Sequence, residues 1–485
     1  MKYRDLREFI ALLEKKGDLR RIKTRVSRDL EITEITDRLV KSGGPALLFE
    51  NVDGFDTPLA INLFGTHQRV AWALGVDHID ELTDRVRKLL GMVQSPPPPG
   101  LMGKLKALGE LAGLARAQPK LVDRAPCQEV VLTGDEVDVN RFPILKCWPD
   151  DAGRFITLPL VISRDPVSGR RNVGTYRMQV YDGKTAGMHW QSHKVGARQY
   201  RRAEEQALEK MPVAVALGGD PATIWTGSMP LPPDVDEIMV AGIIREEPVE
   251  MVRCKTIDLE APAHAEIVLE GYVVPGESRI EGPFGDHTGY YSLPDEYPVF
   301  HIEAITHRKR PIYPTTMVGR PPTEDFFMGK ASERVMLPAL QMALPEVVDY
   351  NMPAEGIFHN FLIVSIRKEY PGHARKVMYA LWGIGLLMLT KAIIVVDAHV
   401  DVQNVSEVAW RVGANIDPSR DILFVDGPAD DLDHATSTPR FASKIGIDAT
   451  AKGKGEGRAR EWPADIVMTD EIKRLVDSRW KQYGI

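Results

Sequence analysis

Near the start of the chain, Leu6, Phe9, Ile10 and Leu13 recur at i, i+3, i+4 and i+7. That is the apolar stripe of an amphipathic helix, and Gly17 is placed to end it. In "LEITEITDRLV", Ile32, Ile35 and Leu39 share a second helical face, Gly43-Gly44 stops it, and "ALLFENV" reads as a strand. Residues 1 to about 90 thus predict a small α/β unit. The texture changes between Cys127 and Pro311. "ITLPLVISRD", "NVGTYRMQVYD", "MPVAVALG", "AEIVLEGYVV" and "FHIEAITHR" all read as strands, with one charged helix near Arg198 to Lys210. Many strands and few helices predict an antiparallel barrel or sandwich. After Pro322 the alternation returns. "FLIVSIRK", "KAIIVVDAHV" and "DILFVDG" are buried-type strands, with helices in "HARKVMYALWGIGLLML" and "VSEVAWRVGA" between them. That order predicts a parallel or mixed sheet with crossover helices.

The punctuation divides the chain into three. "SPPPPG", Ser95 to Gly100, cannot sit in a helix or a central strand and reads as a stiff spacer. A helical stretch from Met102 to Gln118 follows it. The expected fold is multi-domain α+β. Its parts are an N-terminal α/β domain over 1–125 with the linker and bridging helix, a strand-rich domain over 126–318, and a C-terminal α/β domain over 319–485.

Bulk properties narrow the function. A net charge of −7 over 485 residues carries no basic excess for nucleic acid and no polybasic block for anionic membranes. The charged N-terminus does not read as a signal peptide. The most apolar run, "ALWGIGLLMLTKAIIVV", is broken by Lys391 before the roughly 20 residues a bilayer span needs. Three scattered cysteines with no CxxC pair fit a reducing cytoplasm. There is no GxGxxG or Walker-type loop.

Candidate chemistry concentrates in two places. "EGPFGDHTGYY", Glu281 to Tyr291, sets two carboxylates around a Gly/Pro turn. If the turn brings Glu281 and Asp286 together, one pKa rises and that carboxyl becomes a general acid; a solvated surface turn would use the same residue types. The second place is "RNVGTYRMQVYDGKTAGMHWQSHK", Arg171 to Lys194. Arg177 lies among apolar neighbours, so a buried guanidinium is expected to seek carboxylates such as Glu281 and Asp286. Asn172, His193 and the later Glu237 form a mixed N/O set suited to Mn²⁺ or Mg²⁺. Their spacing matches no short metal motif, and a capping Asn, a core His and a surface Glu would look alike. In one regular strand Asn172 and Arg177 would point to opposite faces, so a break or bulge near Gly174 is required for a shared site.

Together with "YRDLREFIALLEKKGDLRRI", "GGPALLFEN", "NLFGT", "EIVLEGYVVPGESRIEGPFGDHTGYY", "GRPP" and "SKIGIDAT", these segments give the chain a near end-to-end resemblance. It resembles the UbiD family of prenylated-flavin decarboxylases, most of all the 3-polyprenyl-4-hydroxybenzoate decarboxylase branch. The resemblance implies a central split β-barrel holding prenylated FMN, which a separate flavin prenyltransferase supplies. It also implies a divalent metal, usually Mn²⁺, with K⁺ nearby. By motif the metal ligands fall on Asn172, His193 and Glu237, and the catalytic trio on Glu281, Arg177 and Asp286, with Asp286 shorter than the Glu of many relatives and expected as proton donor. Cofactor contacts fall on Thr175, Tyr176, Arg177, His189, Trp190, Gln191, Ser228 and Met229, with Lys391 toward the phosphate. At Lys194 and Val195 the "HKVG" run departs from the family pattern, which puts side-chain contacts there in doubt while backbone contacts are expected to survive.

The implied activity is reversible, non-oxidative decarboxylation of an aromatic, chiefly hydroxyaryl, acid. The first expectation is 3-polyprenyl-4-hydroxybenzoate in ubiquinone biosynthesis. A menaquinone-route dihydroxynaphthoate or another aromatic or α,β-unsaturated acid is second, and an FMN oxidoreductase third. A polyprenyl substrate asks for an apolar channel or weak association with a membrane surface. The family further implies a homo-oligomer, dimer or hexamer, through the C-terminal domain, with the hydrophobic stretch Val377 to Leu389 contributing.

Overall fold

The computed structural model describes residues 3–94, 117–232, 235–457 and 460–485. The proline run and the bridging helix expected after it lie outside these residues, apart from 117 and 118.

The first helix spans Leu6–Lys15, and Asp5 caps it by accepting from the backbone N–H groups of Arg7 and Glu8. Leu6, Phe9, Ile10 and Leu13 are all buried. Gly17 follows with φ +75°, the left-handed conformation that ends helices. The second helix, Glu31–Lys41, buries Ile32 and packs Ile35 and Leu39 against the same core. These helices flank a four-stranded sheet of Leu19–Ile22, Ala46–Phe49, Leu59–Ile61 and Tyr313–Pro314. The last strand comes from some 250 residues further along the chain, so it staples the central segment to the N-terminal unit.

The central sheet has nine strands among the described residues, all antiparallel, and curls into a half-barrel. Its spine is the pair Ile267–Glu281 and Asp295–His307. Register shifts at Glu270/Gly271 and Val273/Ser278 bend that pair. A Cβ on Gly271 would lie 1.8 Å from the His301 carbonyl oxygen, so only glycine fits the first bend. Sequence periodicity merges "NVGTYRMQVYD" into one strand, but the chain breaks it in two. Arg171–Gly174 pairs with Pro159–Arg164, while Met178–Val180 pairs with Arg154–Ile156. The expected helix near 198–210 lies at Val195–Glu205.

The C-terminal sheet runs Val347–Asn351, Phe361–Ile366, Ala392–Asp397, Phe441–Asp448, Ile422–Pro428. Its middle strands are parallel and both edge strands antiparallel. A 20-residue helix, Glu324–Ala343, leads into it. Glu324 is buried and accepts from the backbone N–H groups of Asn62 and Phe64 and from Thr316 Oγ1, tying three segments at one carboxylate. The stretch Val377 to Leu389 is not one helix. The helix ends at Trp382, Gly383 follows, and a short 3₁₀ turn covers Gly385–Leu389. Ala374, Val377, Met378 and Leu381 are consumed by the domain's own core. No described helix is long and apolar enough to cross a membrane.

Candidate active site

The loop joining the two spine strands carries the acidic motif. Glu281 is the last residue of its strand and pairs in register with Asp295. Gly282 then takes φ +96°, a conformation that favours glycine, and the Gly282–Pro283 bond is cis. The Gly282 N–H donates to Gln179 Oε1 at 2.8 Å and the Gly285 N–H to Asp151 Oδ1 at 2.7 Å. A Cβ on Gly285 would come within 2.2 Å of the Trp148 ring. Phe284 is buried against Phe155, with ring centroids 4.5 Å apart. The loop is therefore fixed at both glycines. Glu281 is 0% and Asp286 6% exposed, which rules out a solvated turn.

Arg177 meets these acids from the opposite side. It stands in the irregular stretch Thr175–Arg177 between two strands, which resolves the facing problem with Asn172. Its Nε donates to Glu281 Oε1 at 3.1 Å, its Nη1 to Asp286 Oδ2, and its Nη2 to Ser292 Oγ at 3.1 Å. The guanidinium carbon lies 4.7 Å from the Phe284 ring centroid. His189 Nδ1 meets the other Glu281 oxygen, and its ring packs 4.3 Å from that of Tyr297.

The electrostatics differ from the expectation of one raised carboxyl. Burial pushes Glu281 up, but the Arg177 charge and the His189 hydrogen bond outweigh it and hold the carboxyl below its ordinary range. Burial likewise raises Asp286, and Arg177 and His287 more than reverse it. A cation bridging the two acids replaces the mutual repulsion that would have kept one protonated. Burial lowers His189, and Arg177 adds to that, so the imidazole is held below its ordinary range.

Around this trio the structure gathers most of the other expected positions. The Thr175 N–H donates to the Gly227 carbonyl at 2.8 Å, which sets Ser228 and Met229 beside it. The Tyr176 hydroxyl accepts from the Gly196 N–H at 3.4 Å and lies 3.5 Å from Asn172 Nδ2. Its ring stands edge-on to Trp190 at 6.4 Å. Gln191 is buried, Lys194 caps the helix that Val195 begins, and a Cβ on Gly196 would strike the Trp190 indole nitrogen at 2.5 Å. Among the described residues, Thr175 Oγ1, His189 Nε2 and Trp190 Nε1 here are buried with no hydrogen-bond partner. Buried polar atoms are normally paired, so this donor and acceptor set fits a polar, planar ligand such as a flavin.

Two of the three expected metal ligands adjoin. Glu237 opens the helix Glu237–Arg245 and its Oε2 accepts from the Val173 N–H at 2.9 Å, one residue from Asn172. Burial pushes Glu237 up to about 7. His193 is half-buried and lowered by burial, and the charges it senses are Lys194, Asp430, Asp431 and His359. Among the described residues no hydrogen bond joins it to the other two, and no group of three His, Cys, Asp or Glu forms a metal cluster. Lys391 sits on the C-terminal sheet in an ion pair with Asp433 at 2.7 Å.

Periodicity missed Ser292, Tyr297 and a second group behind Asp286: His287, Asp325, His359 and Asp430. These are brought together by tertiary contact across large sequence gaps. His287 stood in plain view inside the motif, and the acid-rich "ADDLDH" run, Ala429 to His434, was the other available signal.

The site is thus a buried Arg–carboxylate trio on a curled antiparallel half-barrel between two α/β domains. Family models of 3-octaprenyl-4-hydroxybenzoate carboxy-lyase match residues 10–89 (N-terminal domain), 120–321 (Rift-related domain) and 326–449 (C-terminal domain). The chain belongs to the UbiD family. It is 52% identical over 483 residues to an uncharacterized protein of Archaeoglobus fulgidus, covering 99% of each chain. It superposes on the vanillic acid decarboxylase of Sedimentibacter hydroxybenzoicus in closed form with a TM-score of 0.87, at 28% identity over 100% of this chain and 99% of that one. The open form of that enzyme gives 0.79 at 27% identity, covering 100% and 99%. An evolved dimeric form of HmfF from Pelotomaculum thermopropionicum, in complex with prFMN, gives 0.79 at 27% identity over 98% and 100%.

Proposed function

We propose that this chain decarboxylates a hydroxyaryl carboxylic acid without net oxidation, using prenylated FMN. The observation that carries the reading is Arg177 clamped between Glu281 and Asp286, out of solvent and beside the unpartnered Thr175, His189 and Trp190 atoms. The prFMN bound by HmfF supports the cofactor, and the vanillic acid acted on by the Sedimentibacter enzyme supports the substrate class.

When bound, prenylated FMN supplies the electron sink that breaking a bond to an sp² carbon requires. Thr175, Tyr176, His189, Trp190, Gln191, Lys194, Val195, Ser228, Met229 and Lys391 would hold the cofactor. Asn172, His193 and Glu237 would hold a divalent metal, Mn²⁺ by preference, alongside K⁺. Arg177 orients the substrate carboxylate, because a guanidinium offers the paired donors that a carboxylate accepts. A carboxylate entering there competes with Asp286 for Arg177 and loosens the hold that keeps Asp286 ionised. Asp286 then returns one proton to the carbon that has lost CO₂. Glu281 stays ionised against Arg177 and His189 and keeps the guanidinium in place.

Within that class, 3-polyprenyl-4-hydroxybenzoate is the first candidate, and dihydroxynaphthoate is the second. A homo-oligomer built on the C-terminal domain and a reducing cytoplasm complete the reading. The test is CO₂ release by holoenzyme loaded with prenylated FMN, over a panel of 4-hydroxybenzoates with and without prenyl chains, vanillate and dihydroxynaphthoate. Release from at least one member, dependent on the prenylated flavin, is expected. Release supported equally by plain FMN, or hydride transfer with no CO₂, would contradict it.

A further inference from the structure

Decarboxylation exchanges a carboxylate for a hydrogen, so every turnover consumes one proton from solvent. Asp286 has little access to solvent of its own. Its Oδ2 is occupied by Arg177, and its Oδ1 accepts from the His287 backbone N–H at 2.7 Å and from His287 Nδ1 at 2.9 Å. A guanidinium does not give up a proton in a protein, and neither does a backbone amide. Of the groups bonded to Asp286, the imidazole alone can pass a proton on.

His287 is itself enclosed by the C-terminal domain. The Phe358 and His359 rings lie 5.4 and 4.9 Å from its own, and its Nε2 is buried with no hydrogen-bond partner among the described residues. Acidic groups face it from three elements, Asp286 on its own turn, Asp325 at the head of the helix Glu324–Ala343, and Asp430 in the loop after Ile422–Pro428, while the turn carrying Phe358 presents the imidazole of His359. Asp325 Oδ2 is also buried without a partner. His359 Nε2 lies 3.2 Å from Asp430 Oδ2. Burial works against a charged His287, but Asp286, Asp325 and Asp430 outweigh it and lift the imidazole above its ordinary range. Burial lowers His359, so of the two adjacent rings His287 is the one that holds the proton.

We propose, resting on the decarboxylase reading above, that His287 recharges Asp286 with the proton each turnover consumes. The Nδ1–H bond breaks and an O–H bond forms on Asp286 Oδ1, leaving His287 neutral with its remaining proton on Nε2. Asp286 gives that proton to the carbon that lost CO₂ and returns to carboxylate. The vacated Nδ1 then takes one proton from solvent, to which the His287 side chain is 16% exposed against 8% for Asp286, and the imidazolium is restored. His287 acts through Asp286 and is a positioning residue.

The test is His287→Asn in the prenylated-FMN holoenzyme. Asparagine keeps an N–H for Asp286 but carries no titratable proton. The wild type should lose kcat as pH rises above 6.5 through the raised range of His287, because only the imidazolium can recharge Asp286. In the variant kcat should fall roughly 10- to 100-fold at neutral pH, at the low end for general acid–base groups, and that alkaline limb should vanish. If the Asn variant loses its flavin, His287→Gln is read on the same profile. An alkaline limb unchanged in the variant, with an active wild type, overturns this proposal alone. A wild-type holoenzyme that releases no CO₂ from any hydroxyaryl acid overturns the decarboxylase reading and this proposal with it.

Discussion

Arg177 donates to two carboxylates and a hydroxyl, so its charge is shared rather than owned by one partner. The sharing holds both carboxyls below their ordinary range. In the proposed mechanism, Asp286→Asn removes the last proton carrier before carbon. It should lower product formation by about 10²- to 10⁴-fold and abolish deuterium uptake from D₂O into the product ring, read by NMR. The same contacts set an acid limit on the fold. Glu281 and Asp286 have folded pKa values depressed below their ordinary 4.5 and 3.8. Their contribution to stability is therefore fully present above about pH 4.5 and is lost as pH falls below that window. Circular dichroism during acid titration should show Glu281→Gln losing less stability between pH 5 and 3 than the wild type. At this scale the sequence was informative where charge met an apolar neighbourhood: residue types suggested that Arg177 would seek carboxylates, but they left a solvated turn open, and the family motif singled out Glu281 and Asp286. The charge states were not legible, because they depend on which side of each carboxylate the guanidinium occupies.

The element that matters most is the hairpin between Ile267–Glu281 and Asp295–His307. It delivers Glu281 from a strand end and Asp286 from a loop five residues later, and Gly285 sets the distance by admitting Trp148. Gly285→Ala should force the indole and the loop apart. A loss of about 1–3 kcal/mol in denaturant unfolding should accompany at least a tenfold fall in kcat/KM. A variant with wild-type kinetics would show that the loop tolerates the shift. Alternation of apolar residues located the spine strands and most of the C-terminal sheet. It could not locate the break at Thr175–Arg177, since a strand that changes partners keeps its apolar composition. Nor did it mark Val347–Asn351 or Phe441–Asp448, whose polar positions, Asp349 and Lys444, are satisfied by Arg334 and by backbone carbonyls.

At the scale of the whole molecule, the stretch Val377 to Leu389 divides: Val377, Met378 and Leu381 enter the C-terminal core, while Tyr379 and Ile384 are exposed. Further apolar surface lies elsewhere. Phe424 and Phe441 are 69% and 53% exposed on the edge hairpin, and Ile466 and Val467 lead into a helix, Asp470–Arg479, with no buried residue. A helix with no buried residue among those described fits the homo-oligomer proposed above. Removing residues 466–485 should lower the solution mass by light scattering to a smaller assembly. An unchanged mass would place the interface on the edge hairpin or elsewhere. The gathering of His287, His359 and Asp430 also belongs to this scale. It joins two domains across some seventy and more residues of chain, which no local pattern encodes.

The most direct measurement is native mass spectrometry of the chain after anaerobic co-expression with a flavin prenyltransferase. The wild type should carry one prenylated FMN and one divalent metal per chain, and Glu237→Gln should lose the metal. A chain that emerges with unmodified FMN, or with no flavin, while the prenylated cofactor is in supply would contradict the account.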